Sequence, residues 1–370
     1  MRILALDIGT GTQDILLFDS RRAVENSVQL VVPAPTVIAA QRVRAATAAG
    51  RPLVLAGTNM GGGPVTGAVV DHIAAGLPAH ATAAAAVTFD DDPEVVRAMG
   101  LTIVSEDEAA RAVGAHVVLR DVDLEMVRKA LKAFEVSPEW DAVAVATFDH
   151  GDAPPGYRDR KFRFDHLRER ILGGGNDAFS AIYLADEVPE YLTRMRAVVD
   201  TLGGDAPALL MDTAQAAVLG SLEDPIVAAQ ECKVVVNMGN EHTLAFHLHG
   251  TEIQGLFEHH THLLSAERLE AHILGLVQGD LDGEAVWREQ GHGAVVMQGG
   301  EELGFLSVIG PMRGMLEGSR LEPYFAMPHG SMMLAGCFGL IRGWAERRPS
   351  DREEVLRALR TVGEGLEHNH

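Results

Sequence analysis

Ile3-Leu4-Ala5-Leu6-Asp7-Ile8-Gly9-Thr10-Gly11-Thr12-Gln13-Asp14-Ile15-Leu16-Leu17-Phe18-Asp19 is the stretch on which the reading of this chain turns. An apolar strand, Ile3–Leu6, ends in Asp7. Gly9-Thr10-Gly11-Thr12 turns the chain, and a second apolar strand, Ile15–Phe18, follows at once. A tight turn of glycine and threonine between two buried strands offers backbone N–H groups and hydroxyls to an anion. A carboxylate at the strand end holds a hydrated cation, directly or through water. Carboxylate, small-residue turn and returning strand together suit a phosphate with its Mg²⁺.

The same logic returns over Val234–Phe246, where an apolar strand ends in Asn237 and a polar turn, Gly239-Asn240-Glu241-His242, leads through Thr243 into another apolar strand. Asn237 accepts a hydrogen bond from metal-bound water but brings no charge. It reads equally well as a plain strand terminator. Just upstream, Met211-Asp212-Thr213 opens a small-residue helix. Asp212 can take a proton from an attacking hydroxyl, or it can cap that helix. Further on, the turn at Gly330 enters a helix spaced by Ala335, Gly336 and Gly339, whose small side chains let a ligand or a sheet approach closely.

These four elements, in this order, resemble the actin, Hsp70 and sugar-kinase superfamily, in which Asp-x-Gly-Thr lies between the first two strands. The resemblance implies an α/β fold of two ribonuclease-H-like (actin-like ATPase) domains, each with a mixed sheet, and an interdomain nucleotide cleft. It implies ATP and Mg²⁺ as cofactors. Gly9, Thr10, Gly11 and Thr12 would grip the phosphates from one side, and Asn237, Gly239, Asn240 and Thr243 from the other. Asp7 would hold the metal, Asp212 or Asp149 would orient the nucleophile, and Gly330 and Gly336 would cover adenosine. Many members carry Asp where this chain has Asn237. That departure leaves a rival open, a non-catalytic regulator or assembly factor that binds a nucleotide or phosphate without turnover. The chain also resembles the family labelled "putative pyruvate formate-lyase activating enzyme". Radical activases need a Cys-x-x-x-Cys-x-x-Cys cluster, and here Cys232 and Cys337 stand alone.

At 370 residues the chain exceeds one usual core, so two domains are expected. A formal net charge of −21 argues against nucleic acid or an anionic membrane as partner. The partners expected are a nucleotide and a small-molecule substrate, with a homodimer left open. Two cysteines imply no disulfide framework and a reducing compartment. With no basic-apolar leader ahead of the first strand and no long apolar span, a cytoplasmic location is expected.

Strands are expected at Ile3–Leu6, Ile15–Phe18, Gln29–Val32, Leu53–Leu55, Ala85–Phe89, Thr102–Val104, His116–Leu119 and Ala142–Ala146. Helices are expected at Val37–Ala49, Thr66–Ala75, Pro93–Met99 and Leu124–Phe134. The alternation implies helices on the faces of a sheet, which must be mixed because its first two strands form a hairpin. Asp152-Ala153-Pro154-Pro155-Gly156 is the clearest break. The division expected is an N-terminal α/β domain over 1–155, a helical connection over 156–205 and a C-terminal α/β domain over 206–370.

Other concentrations are less specific. Thr58–Pro64 is a Gly-rich loop between a strand and a helix, without the lysine of a P-loop. Asp149 and His150 follow a buried strand and could touch substrate; Arg158 and Arg163 make an acidic substrate conceivable. His242, His247, His249, His259, His260 and His262 crowd one short stretch. His247 and His249 share a strand face, as His260 and His262 could, and with Glu258 near they suggest a His-ligated metalloenzyme as a third reading. The terminal His368-Asn369-His370 reads as a solvated tail.

Overall fold

The computed structural model describes residues 1–204 and 206–360. The expected terminal tail, His368–His370, lies outside the described residues. The described strands are β1 (Arg2–Ile8), β2 (Thr12–Asp19), β3 (Val28–Pro33), β4 (Leu53–Gly57), β5 (Ala79–Thr82), β6 (Thr102–Val104), β7 (Ala115–Leu119), β8 (Ala142–Thr147), β9 (Ile182–Leu184), β10 (Ala208–Met211), β11 (Cys232–Met238), β12 (His242–His249), β13 (Glu252–His260), β14 (Gly293–Val296), β15 (Leu306–Ile309) and β16 (Tyr324–Phe325).

They form two six-stranded mixed sheets and one four-stranded parallel sheet. The first runs β3-β2-β1-β8-β10-β9 and the second β14-β13-β12-β11-β15-β16. Each holds a three-strand antiparallel meander whose first strand then pairs in parallel with a later one, β1 with β8 and β11 with β15. In each, one further parallel strand follows, β10 beside β8 in the first sheet and β16 beside β15 in the second. The two sheets therefore repeat one topology, the ribonuclease-H-like arrangement.

Two equivalent helices fill the space between the sheets. Thr213–Ser221 follows β10, and Ala335–Arg347 follows β16. They cross at backbone contact: a methyl group on Gly220 would fall on the Ala335 carbonyl, and one on Gly339 on the Ala216 carbonyl. Their apolar residues join one core with the inner faces of both sheets, including Ile3, Phe18, Val235 and Phe246. The helix Ala335–Arg347 thus packs on the first sheet, and Thr213–Ser221 on both.

The expected domain limits need correction. β9 and β10 belong to the first sheet, so the first lobe continues to Met211, and 156–205 is not purely a helical connection. The second sheet begins at Cys232. Within the first lobe, residues 35–119 form an inserted unit of their own, the parallel sheet β6-β5-β4-β7 with helices Pro35–Ala48 and Gly63–Ala74 and a separate core. Ala85–Phe89 is not a strand. β5 ends at Thr82, and four alanines, Ala83–Ala86, then wind into a helical turn, in keeping with alanine's high helix propensity. The remaining expected strands and helices form within a few residues of their expected limits, and Asp92 caps its helix by accepting from the Glu94 N–H at 2.8 Å. No described helix is long and apolar enough to cross a membrane.

Candidate active site in the interlobe cleft

Both glycine-bearing hairpins reach the same cleft. Their turns close in the same way: Gly9 N–H donates to the Thr12 carbonyl at 3.0 Å, and Gly239 N–H to the His242 carbonyl at 2.9 Å. A cavity of about 620 Å³ lies between them. Its wall takes Asp7, Gly9, Thr10 and Thr12 from the first hairpin and Asn237, Gly239 and Asn240 from the second. The first turns of both central helices also reach it, through Thr213, Ala214, Ala335 and Gly336. A helix N-terminus aimed at a cavity favours an anion there.

Asp7 and Asp14 face each other across the β1–β2 register. Both are buried, and the Asp7 carboxylate accepts from Thr213 Oγ1 at 2.5 Å. Burial, with Asp212 adding to it, raises the pKa of Asp7 to about 7 although the Thr213 bond opposes the rise. Burial and the charge of Asp7 raise that of Asp14 to about 8. Asp14 Oδ1 has no hydrogen-bond partner among the described residues. Two buried carboxylates with an unsatisfied oxygen could hold a cation, or share a proton in its absence. Asp14 was not singled out from the sequence, although a hairpin that turns at Gly9–Thr12 sets position 14 opposite position 7.

The cavity has two unlike ends. One is lined by Ile309, Pro311, Met332 and Met333. The other is acidic, with Asp90, Asp91, Asp121, Asp149 and Asp159. Arg194 is the cationic side chain on this wall, and it is committed: it donates to both Asp121 oxygens at 2.6 and 3.0 Å and to the Phe148 carbonyl at 2.6 Å. Burial and neighbouring Asp152 and Asp149 lift Asp91 to about 6. Such a wall repels an acidic substrate, contrary to what Arg158 and Arg163 suggested.

The other expected site residues fall in different places. Asp149 lines the cavity, but its oxygens accept from the N–H groups of Gly151 and Met195 at 2.9 and 2.8 Å. Asp212 sits behind the wall. It caps its helix by accepting from the Ala214 N–H at 3.0 Å and pairs with Arg163 at 2.7 Å. Thr243 points inward, because β12 alternates faces, and meets Thr261 at 2.9 Å. Gly11 lies at the hairpin tip and off the wall, where an added β-carbon would meet the Asn240 side chain. Gly330 holds a turn with φ of 76° ahead of Met332 and is off the wall.

Arg163 organises the floor. It is buried, donates to Asp212, to the Asp149 carbonyl at 3.0 Å and to Glu258 at 2.9 Å, and lies 3.5 Å from the centre of the Phe148 ring. Asp212 belongs to the first lobe and Glu258 to the second, so this guanidinium ties the lobes together. Beside it His242 stacks on Phe148 at 4.0 Å, and His242, His260 and His292 each bring one ring nitrogen within 4.8 Å of the others. Strand alternation and a bulge after His247 thus divide the expected histidine cluster into separate groups. Glu258 stands with Arg163 and His292, not with His247 and His249. His292 comes from a distant loop, which no local spacing could reveal.

No curated protein matches the chain. Among solved structures it is similar to a ROK hexokinase from Thermus thermophilus, at 12% identity and a TM-score of 0.32 over 92% of this chain and 97% of that one. It is also similar to the ethanolamine utilization protein EutJ from Carboxydothermus hydrogenoformans, at 11% identity and a TM-score of 0.33 over 92% of this chain and 89% of that one. A family model described as "Putative pyruvate format-lyase activating enzyme (DUF1786)" matches residues 60–315. Cys232 and Cys337 lie in separate places, the first on β11 and the second in the helix against β1, so they cannot share the thiolate cluster that such a description implies. By that match, which spans more than half its length, the chain belongs to the DUF1786 family.

Proposed function

We propose that this protein is an ATP- and Mg²⁺-dependent phosphotransferase or ATPase working in the interlobe cleft. The observation that carries the reading is the convergence of two like hairpin turns and two helix N-termini on one cavity that also holds the Asp7–Asp14 pair. Asp7 and Asp14 would hold the metal, whose charge offsets their mutual repulsion and that of a polyphosphate. Gly9–Thr12 and Gly239–Asn240 would present N–H groups and hydroxyls to the phosphates, and Ile309, Pro311, Met332 and Met333 would receive the base. Bound Mg²⁺-ATP supplies an activated phosphoryl group, so the protein's share is positioning, charge neutralisation and exclusion of water.

At the acidic end, Asp91 is the carboxylate whose pKa, about 6, suits a proton acceptor at neutral pH. That end fits a polyhydroxylated or cationic acceptor. Asp212 serves better as the anchor of Arg163 than as a base, because its oxygens are taken. Calorimetry on Asp7→Ala tests the reading: Mg²⁺-ATP binding is lost, and unchanged affinity would contradict it. Phosphate release across a panel of polyols and amines then separates turnover from the rival reading of a regulator that binds without reacting.

One observation favours a second reading, a His-ligated metal centre on the cavity wall. His242 Nε2 and both nitrogens of His292 are buried without hydrogen-bond partners among the described residues, although His292 Nδ1 lies 3.5 Å from Glu258. Burial and the neighbouring Arg163 push both imidazoles well below their ordinary range, so they are neutral and can act as ligands. Loss of turnover in His292→Ala, with Mg²⁺-ATP affinity unchanged, would favour this reading.

A further inference from the structure

At the far end of the second hairpin, away from the cleft, four side chains of different origin converge. Cys232 opens β11, His247 and His249 close β12, and Glu301 comes from the segment between β14 and β15. Cys232 lies directly opposite His249 in the strand register. The seven-residue strand from Cys232 to Met238 puts this corner about 20 Å from the turn that faces the cavity.

Glu301 Oε2 is 3.3 Å from Cys232 Sγ, 3.4 Å from His247 Nε2 and 3.1 Å from His249 Nε2. Cys232 Sγ is 3.7 Å from His247 Nε2. All four donor atoms lie within 4.8 Å of one another. A tetrahedral zinc ion with bonds of 2.0–2.3 Å separates its ligands by about 3.3–3.7 Å, and the four distances here, 3.1–3.7 Å, fall close to that range.

We propose that Cys232, His247, His249 and Glu301 form a closed, four-coordinate site for Zn²⁺ or a cation of like size and softness. Without a cation, a thiol and two imidazoles must all turn hydrogens toward one carboxylate oxygen. With one, all four lone pairs point at a common centre. The charges also balance, since one thiolate and one carboxylate neutralise a divalent ion and the imidazoles stay neutral. Burial of His247 lowers its basicity and favours that neutral form. With no ligand position left for a substrate, the ion would act as a staple, tying the outer corner of the hairpin to the segment that leads into β15.

Burial and Glu301 lift the Cys232 thiol to about 11, so the metal must displace a proton: the S–H bond breaks, a Zn–S bond forms and one H⁺ leaves to solvent.

Cobalt substitution tests the site on the full chain, purified without a polyhistidine tag or nickel. The wild type, titrated with Co²⁺, gives a sulfur-to-cobalt charge-transfer band and tetrahedral d–d bands. Cys232→Ser abolishes the charge-transfer band, whereas His292→Ala, at the cleft, keeps it. Zinc competition then gives weaker binding for Glu301→Gln, by more than the 10–100-fold that loss of an outer partner costs. Glu301 is half-exposed on a loop, so this variant folds even if Cys232→Ser does not. A wild type with no charge-transfer band, or a Glu301→Gln affinity equal to wild type, overturns the proposal.

Discussion

Gly11 and Asn240, 229 positions apart in sequence, meet at the tips of the two hairpins: a β-carbon on Gly11 would stand 2.7 Å from Asn240 Nδ2. Asn240 lines the cavity, so the contact joins the tip of the first hairpin to its wall. Gly11→Val displaces the Asn240 side chain from its place between the tips. We expect nucleotide affinity to fall about tenfold, equivalent to roughly 1.4 kcal/mol. Asn240→Ala removes the obstacle, so the double variant recovers most of that loss. Titration of both variants and their combination gives the coupling energy directly; additive losses would mean that the two tips do not act on each other.

Asp7 and Asp14 make the metal-free protein sensitive to pH in an unusual direction. Ordinary carboxylates in an unfolded chain titrate near 4, whereas these sit at about 7 and about 8. The folded state thus binds their protons more tightly than the unfolded state does. Their contribution to stability is full below about pH 4, declines as pH rises from there, and is gone once pH has passed through 7 to 8. Thermal melts in chelator should therefore show a falling midpoint across that window, and added Mg²⁺ should restore it by mass action. Asp14→Asn should flatten the fall and abolish the rescue, a pair of effects that a purely structural aspartate would not produce.

Much of this fold could be read from local pattern. The apolar strands flanking Gly9–Gly11 and Gly239 carry their own register, because a tight turn fixes which residues face each other. The first helices showed themselves through capping and spacing, as at Asp92-Pro93. What stayed hidden depends on distant contacts. Nothing near Leu209–Met211 says that this strand pairs with β8 rather than starting a new sheet. Arg163 suggested an acidic substrate rather than a buried bridge, because its partners Asp212 and Glu258 lie 49 and 95 residues away. The site divided in the same manner: the glycine turns were legible, while His292 and Glu301 reach their clusters only through the folded chain.

Gly336 sits in the first turn of the helix Ala335–Arg347, and a methyl group there would fall on the Asp7 carboxylate. Neither side can yield easily, since Asp7 is held by Thr213 and the helix by its crossing with Thr213–Ser221. Gly336→Ala should therefore displace Asp7 and weaken Mg²⁺-nucleotide binding at least as strongly as Gly11→Val. Gly343→Ala, in the same helix but against the Met211 and Ile182 side chains, should leave binding intact at some cost in stability. Calorimetry and melts on both variants separate the two effects; equal loss of binding in the pair would assign it to the helix as a whole.

Arg163 is the sharpest case of a buried charge whose removal differs from its replacement. Arg163→Ala leaves Asp212 and Glu258 buried without their cation, which costs about 3–5 kcal/mol. The cost arises from the stranded carboxylates more than from the lost bonds, so it should be recoverable. Arg163→Met combined with Asp212→Asn and Glu258→Gln keeps the volume and discharges the site, and Asn caps a helix as well as Asp does. Urea unfolding should place the triple variant well above Arg163→Ala in stability. Because the same guanidinium bridges the two lobes, the triple variant should fold yet close its cleft less firmly, with weaker nucleotide binding than wild type. A triple variant no more stable than Arg163→Ala would show that Arg163 contributes through its packing on Phe148 and not through its charge.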